Sequence, residues 1–179
     1  MPPNGAIAFG RVTKSQNDIW TVQPGTGDLV RLTRTTSASE GMPDWNADGT
    51  RLTYSRCGLG EFSNCDIWVM NADGSDAKQV TKEDFRLLNN GVWMPDGQYF
   101  IARKHFTSGR SLGAGEMWMY HITGGAGLQL TERKNDQQDV NEPFVSPDGR
   151  YLYYSEDIYP GGFFQYNKDP NDQIYVIRR

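Results

Sequence analysis

An all-β chain of about four repeating antiparallel sheets is what this sequence predicts, and three recurring markers predict it. The first is a tetrad with a central aromatic: Asp18-Ile19-Trp20-Thr21, Asp66-Ile67-Trp68-Val69, Glu116-Met117-Trp118-Met119 and a weaker Gln173-Ile174-Tyr175-Val176. Its aromatics fall at 20, 68, 118 and 175, in steps of 48, 50 and 57. The second is Trp45-Asn46-Ala47-Asp48-Gly49, repeated as Trp93-Met94-Pro95-Asp96-Gly97 and Val145-Ser146-Pro147-Asp148-Gly149. The third is a strand end, Leu32-Thr33, Val80-Thr81 and Leu130-Thr131. Fixed order and a shared period of about fifty residues mark a repeat architecture, and strand-like units of that length narrow it to a β-propeller.

Each element follows from its residues. The chain opens at Gly5-Ala6-Ile7-Ala8-Phe9, a second strand (B) with no first strand (A) before it. In the next unit, residues 42–45 read as strand A, and the Asp48-Gly49 pair that follows tolerates the positive φ of a tight hairpin. Residues 51–55 alternate in polarity and read as strand B, 66–70 as strand C and 77–81 as strand D, with Asn71-Ala72-Asp73-Gly74-Ser75 as a second turn. The third unit repeats the pattern at 91–93, 98–102, 116–120 and 128–131. The last closes at 174–177, a strand C with no strand D after it. The expectation is one propeller or half-propeller domain over 1–179, with blades near 5–33, 41–81, 90–131 and 141–178. The first blade lacks strand A and the last lacks strand D, so that oligomerisation would complete the ring.

Composition excludes several functions. A net charge of −4 argues against a nucleic-acid backbone as partner, which calls for a clustered basic face. No apolar run approaches the length of a membrane span, and the opening Met1-Pro2-Pro3-Asn4-Gly5 is not a signal peptide, so the expectation is either a cytoplasmic protein or a mature or excised piece. Cys57 and Cys65 sit eight residues apart, in the loop between two expected strands. They are either a hairpin bridge, which would imply an oxidising compartment, or two free thiols.

The turn Asn-Ala-Asp-Gly-Ser at 71–75, Ser146-Pro147-Asp148-Gly149-Arg150 and the Leu-Thr strand ends resemble the TolB-like (PD40, WD40-like) propeller repeats. Arg103-Lys104-His105-Phe106-Thr107, residues 111–116 and residues 165–170 resemble the propeller that precedes the catalytic domain in certain large bacterial amidohydrolases. The resemblance implies a non-catalytic propeller that binds or assembles, and a periplasmic or secreted location. Propellers of this family usually carry six or seven blades, and this chain carries about four.

Loop length points to a working face. The A–B and C–D turns are short, whereas the B–C and D–A connections are long and share the opposite face, where a rigid scaffold holds binding residues. The candidates at this channel mouth are Glu40, Asn89, Asn90, His105, Arg110, Glu116, Asn141 and Glu142, with Asp157, Tyr159, Phe163 and Phe164 nearby. A rim of carboxylates, amides and aromatics suits a peptide, a small polar ligand or a cation. Calcium, held by Glu40, Asn90 or Glu142, is the weak metal candidate; no other cofactor is expected.

Catalytic motifs read as chance matches. Gly109-Arg110-Ser111-Leu112-Gly113 fits G-x-S-x-G, but that motif needs a strand-to-helix turn, and this one falls between antiparallel strands. Asp44 to Gly49 fits the start of a calcium loop, yet the twelfth position is Ser55 rather than a bidentate Glu. Only His105 and His121 are present, without metal-site spacing. The equivalent tryptophans 20, 68 and 118, and 45 and 93, are expected to fill the layers between sheets. The expected function is a non-catalytic module binding a protein, a small ligand or a second copy of itself. The alternatives are an amidohydrolase propeller separated from its catalytic domain and a purely structural half-propeller.

Overall fold

The structure is a computed structural model that describes residues 5–13, 16–59, 64–82, 86–87, 91–105, 115–132, 138–158 and 173–178. Among these residues there are fifteen strands and no helix. Blade I is β1 (Ile7–Thr13), β2 (Gln16–Val22) and β3 (Leu29–Arg31), paired in that order. Blade II is β4 (Ala38–Trp45), β5 (Arg51–Gly58), β6 (Cys65–Asn71) and β7 (Lys78–Gln79). After the two-residue β8 (Arg86–Leu87), blade III is β9 (Val92–Trp93), β10 (Tyr99–His105), β11 (Gly115–His121) and β12 (Leu128–Gln129). Blade IV is β13 (Gln138–Val145), β14 (Tyr151–Ile158) and β15 (Gln173–Arg178). Every pairing within a blade is antiparallel.

The markers now have physical causes. In the A–B turns, Gly49, Gly97 and Gly149 take φ of +70°, +63° and +68°, which glycine adopts without steric cost. Their N–H groups donate to Asn46, Met94 and Ser146 carbonyls, closing each turn. The preceding aspartates accept from the residue beyond the glycine: Asp48 from Thr50 N–H at 2.8 Å, Asp96 from Gln98 at 2.9 Å and Asp148 from Arg150 at 3.1 Å. The Leu-Thr marker is a lock between strands C and D. The hydroxyls of Thr33, Thr81 and Thr131 accept from the N–H of Ile19, Ile67 and Met117, each at 2.9 Å. Valine would fit the strand but could not accept that hydrogen bond.

Equivalent positions also build the core between blades. Ile19 and Leu32 of blade I pack with Leu52, Tyr54 and Met70 of blade II. One step on, Ile67 and Val80 pack with Phe100, Ala102 and Tyr120. Met117 then packs with Met94, Ile101, Val140, Val145 and Leu152. Each sheet is therefore stabilised chiefly by apolar area buried against its neighbour, not within itself.

Several boundaries differ from those expected. Strands β4 and β13 begin at Ala38 and Gln138, not at 42 and 141, because each continues across a β-bulge. Cys57 and Cys65 lie not in a loop but within β5 and β6, as directly opposed partners, and are joined as a disulfide. His105 ends β10 and Glu116 lies in β11, so neither belongs to a B–C loop. The extra strand β8 pairs with β6 in parallel fashion and with β10 antiparallel, linking blades II and III.

Candidate binding face

Strands B, C and D share a polar arrangement that recurs in three blades. A cation on strand B (Arg11, Arg56 or Lys104) pairs across the ladder with an acid on strand C (Asp18, Asp66 or Glu116). Two residues further along strand C stands a tryptophan, half-buried, with the cation over its ring. Arg11 lies 5.0 Å from the Trp20 centroid, Arg56 4.4 Å from that of Trp68, and Lys104 4.3 Å from that of Trp118. Strand D completes the set. Arg31 reaches Asp18 at 2.7 Å, Gln79 reaches Asp66 at 3.0 Å, and Gln129 reaches Glu116 at 3.1 Å. These tryptophans are thus not wholly interior: each carries a cation on its ring, and Trp68 and Trp118 also pack against the apolar core.

The expected site residues fall into distinct settings. Glu116 is buried, and accepts from the Trp118 indole at 3.0 Å as well as from Gln129. Glu40 is 1% exposed and accepts from the Thr35 and Thr33 hydroxyls, with Arg56 Nε 3.6 Å away. Burial holds its carboxyl above the ordinary range, opposed by the Thr35 hydrogen bond and the Arg56 charge. The same burial, with Glu40 as neighbour, pushes the Tyr54 phenol up to about 12. Asn141 is half-buried and donates to Asp139 at 2.9 Å. Asp139 in turn forms a buried ion pair with Arg103, bringing strand B of blade III against strand A of blade IV. Gly115 makes room for that pair, since a Cβ there would lie 2.5 Å from Arg103 Nε. His105 is buried.

Glu142 differs from the candidate acids Glu40 and Glu116 in being exposed. It has φ of +51°, and Met42, at the corresponding bulge of β4, has φ of +52° and is 53% exposed. Both precede a proline, which disfavours helical backbone at these positions. Left-handed backbone at a non-glycine residue costs about 1–3 kcal/mol and persists only where its surroundings impose it. These two side chains therefore stand on rigid kinks of the innermost strands. The sequence sets Glu40-Gly41-Met42 and Val140-Asn141-Glu142 alike near the channel axis, but its candidate site residues include Glu142 and not Met42; the shared residue-Pro step at 42–43 and 142–143 was the available signal.

Asn89, Asn90, Arg110, Tyr159, Phe163 and Phe164 lie outside the described residues, as does the side chain of Asp157. Among the described residues, no group of three His, Cys, Asp or Glu side chains could hold a metal ion. No helix of the structure is long and apolar enough to cross a membrane.

Comparison with known proteins agrees with the propeller fold. No family model matches. The chain is 22% identical over 173 residues to the "Uncharacterized peptidase YuxL" of Bacillus subtilis (strain 168), covering 79% of this chain and 25% of that protein. Among solved structures, a putative TolB from Agrobacterium tumefaciens superposes with a TM-score of 0.71 at 18% identity, covering 97% of this chain and 57% of that one. TolB from Acinetobacter baumannii gives 0.66 at 20% identity, over 97% and 38%. Prolyl oligopeptidase B from Galerina marginata gives 0.66 at 15%, over 99% and 28%. This chain spans a quarter of its curated relative and about four-tenths to six-tenths of the TolB structures. The chain has the β-propeller fold of the TolB proteins and of prolyl oligopeptidases, in a four-blade stretch.

Proposed function

We propose that this chain is a non-catalytic TolB-like propeller module that binds a protein or a small polar ligand at its long-loop face and channel mouth. The observation that carries the reading is the contrast between its acids. Asp18, Asp66 and Glu116 are bound up in strand-to-strand hydrogen bonds, whereas Glu142 stands exposed on a rigid bulge. A charged side chain fixed in this way serves recognition with little ordering cost. Assembly is part of the proposal: a second copy joined head to tail would make a ring of eight blades, within the usual range. The disulfide supports an oxidising compartment, periplasmic or secreted. Calcium at the channel mouth stays a subsidiary proposal, with Glu142 as its exposed carboxylate.

A second reading, an accessory propeller belonging to a larger hydrolase, is favoured by the peptidase-named relative and the prolyl oligopeptidase structures. One experiment tests the non-catalytic claim. The purified chain is offered chromogenic ester and dipeptide-amide substrates, and no turnover above buffer is expected. Turnover that disappears in Ser111→Ala would overturn it.

A further inference from the structure

Two adjoining grooves, of about 780 and 390 Å³, run between blades II and III along strand D of blade II, and share Gln79 and Thr123. Four cations line them, Arg51, Lys78, Lys82 and Lys104, against one carboxylate, Asp76. The chain as a whole carries a net charge of −4, so this basic strip runs against its background. Lys78 is paired with Asp76 at 2.9 Å, and Lys104 lies over Trp118 and opposite Glu116. Arg51, half-buried, and Lys82, exposed, form no side-chain hydrogen bond or ion pair among the described residues. These two carry the uncompensated charge of the strip.

The interface between blades III and IV shows that the repeat does not require these cations. Arg51 and Tyr99 each oppose the residue three places beyond the strand C tryptophan. Lys78 and Leu128 each precede the glutamine that opposes that tryptophan. Lys82 and Glu132 each follow the locking threonine, and Lys104 and Glu156 each oppose the first residue of the strand C tetrad. Four cations at one interface thus correspond to an aromatic, an apolar residue and two acids at the next. Scaffold geometry is common to both, so the charge belongs to this groove alone.

Spacing narrows the occupant. Arg51 and Lys78 stand beside the C–D turn, whereas Lys82 and Lys104 stand at the opposite end of strand D. Four residues of strand separate Lys78 from Lys82, about 13 Å at the usual rise. Between the ends the wall is apolar: Val80 is buried, and Val69 and Ile122 are half-buried. We infer that this groove takes up an extended acidic peptide, with two carboxylates four residues apart and an apolar side chain between them. Side chains two and four residues apart share one side of an extended chain, which gives the pattern acid, any residue, apolar, any residue, acid. Clustered cations reading acidic motifs are a general mode of peptide recognition. A charge at each end with an apolar middle does not match the close, even spacing of phosphates along a nucleic acid.

The probe is a capped pentapeptide, Asp-Ser-Val-Ser-Asp, titrated into the full chain with its amides observed by NMR. Saturable binding with a Kd below about 1 mM is expected at 20 mM salt, weakening at 150 mM, with shifts at Gln79, Thr123 and Gly125. The Asn-Ser-Val-Ser-Asn peptide should not bind, and the isomer Asp-Asp-Val-Ser-Ser should bind more weakly. Lys82→Gln and Arg51→Gln should each weaken binding roughly two- to fivefold, and about tenfold together. Lys82 is exposed, so its variant keeps the parent urea midpoint even if the Arg51 variant does not. Arg34→Gln, an exposed cation outside the groove, should bind as the parent does. Absence of binding, equal binding by the asparagine peptide, or an equal loss in Arg34→Gln would overturn the inference. So would a single-stranded oligonucleotide that binds the same residues more tightly than the peptide. Either result leaves the long-loop reading untouched, because none of the groove's uncompensated cations belongs to that site.

Discussion

The hydroxyl of Thr81 accepts from the Ile67 N–H at 2.9 Å and donates to the Asp66 carboxylate at 2.9 Å, so one buried side chain joins strand D to two consecutive residues of strand C. The same residue type takes the same N–H in blades I and III. A three-blade recurrence of one side-chain bond explains why Leu-Thr survives in the sequence as a marker.

Thr81→Val should remove both bonds and leave the Ile67 N–H buried without a partner. A loss of about 1–3 kcal/mol is expected, read as a lower urea midpoint at unchanged slope. Thr81→Ser, which keeps the hydroxyl, should restore most of it.

The Arg103–Asp139 ion pair is buried between blades III and IV. Asp139→Ala should cost about 3–5 kcal/mol, because it strands a buried guanidinium. Arg103→Met combined with Asp139→Leu should cost much less than Asp139→Ala alone. Urea melts of the three proteins check the order.

The disulfide closes a short loop between paired strands. Chain-entropy arithmetic for eight residues gives about 2.5 kcal/mol of stabilisation. Cys57→Ser with Cys65→Ser should therefore lower the urea midpoint, and reductant should have no further effect on that variant.

Glu40 provides a pH test. Its folded carboxyl is raised above the ordinary 4.5 by burial, so its favourable contribution is present below that value and lost as pH rises through the raised one. At neutral pH the ionised carboxylate is the less favourable form. Glu40→Gln, which still accepts from Thr35, should raise Tm at pH 7 relative to the parent, and that advantage should fade on acidification below pH 4.5. An advantage that grows on acidification would contradict the assignment.

The blades were legible because markers tied to backbone geometry recur in order. Asp-Gly turns need the left-handed glycine, and the threonine lock needs a hydroxyl at one place. The first halves of β4 and β13 were not legible, because a bulge resets the period of two between Gly41 and Asp44 and between Asn141 and Phe144. Nor was the burial of Arg103, Lys104 and His105, since three charged or polar residues ending β10 look like the start of a loop. Their burial depends on Asp139, Gly115 and Trp118, which only the folded sheet brings near. The same holds for the site: Glu40 and Glu116 look like free carboxylates in the sequence, whereas Arg56 from β5 and Gln129 from β12 meet them in the fold, beside the nearer Thr33, Thr35 and Trp118.

The mass of the native particle tests the central claim, that this four-blade chain works by assembly and recognition. Light scattering across micromolar concentrations should give twice the chain mass of 20.2 kDa, the value for two copies completing a ring. A single mass of 20.2 kDa, constant over that range, would contradict the assembly.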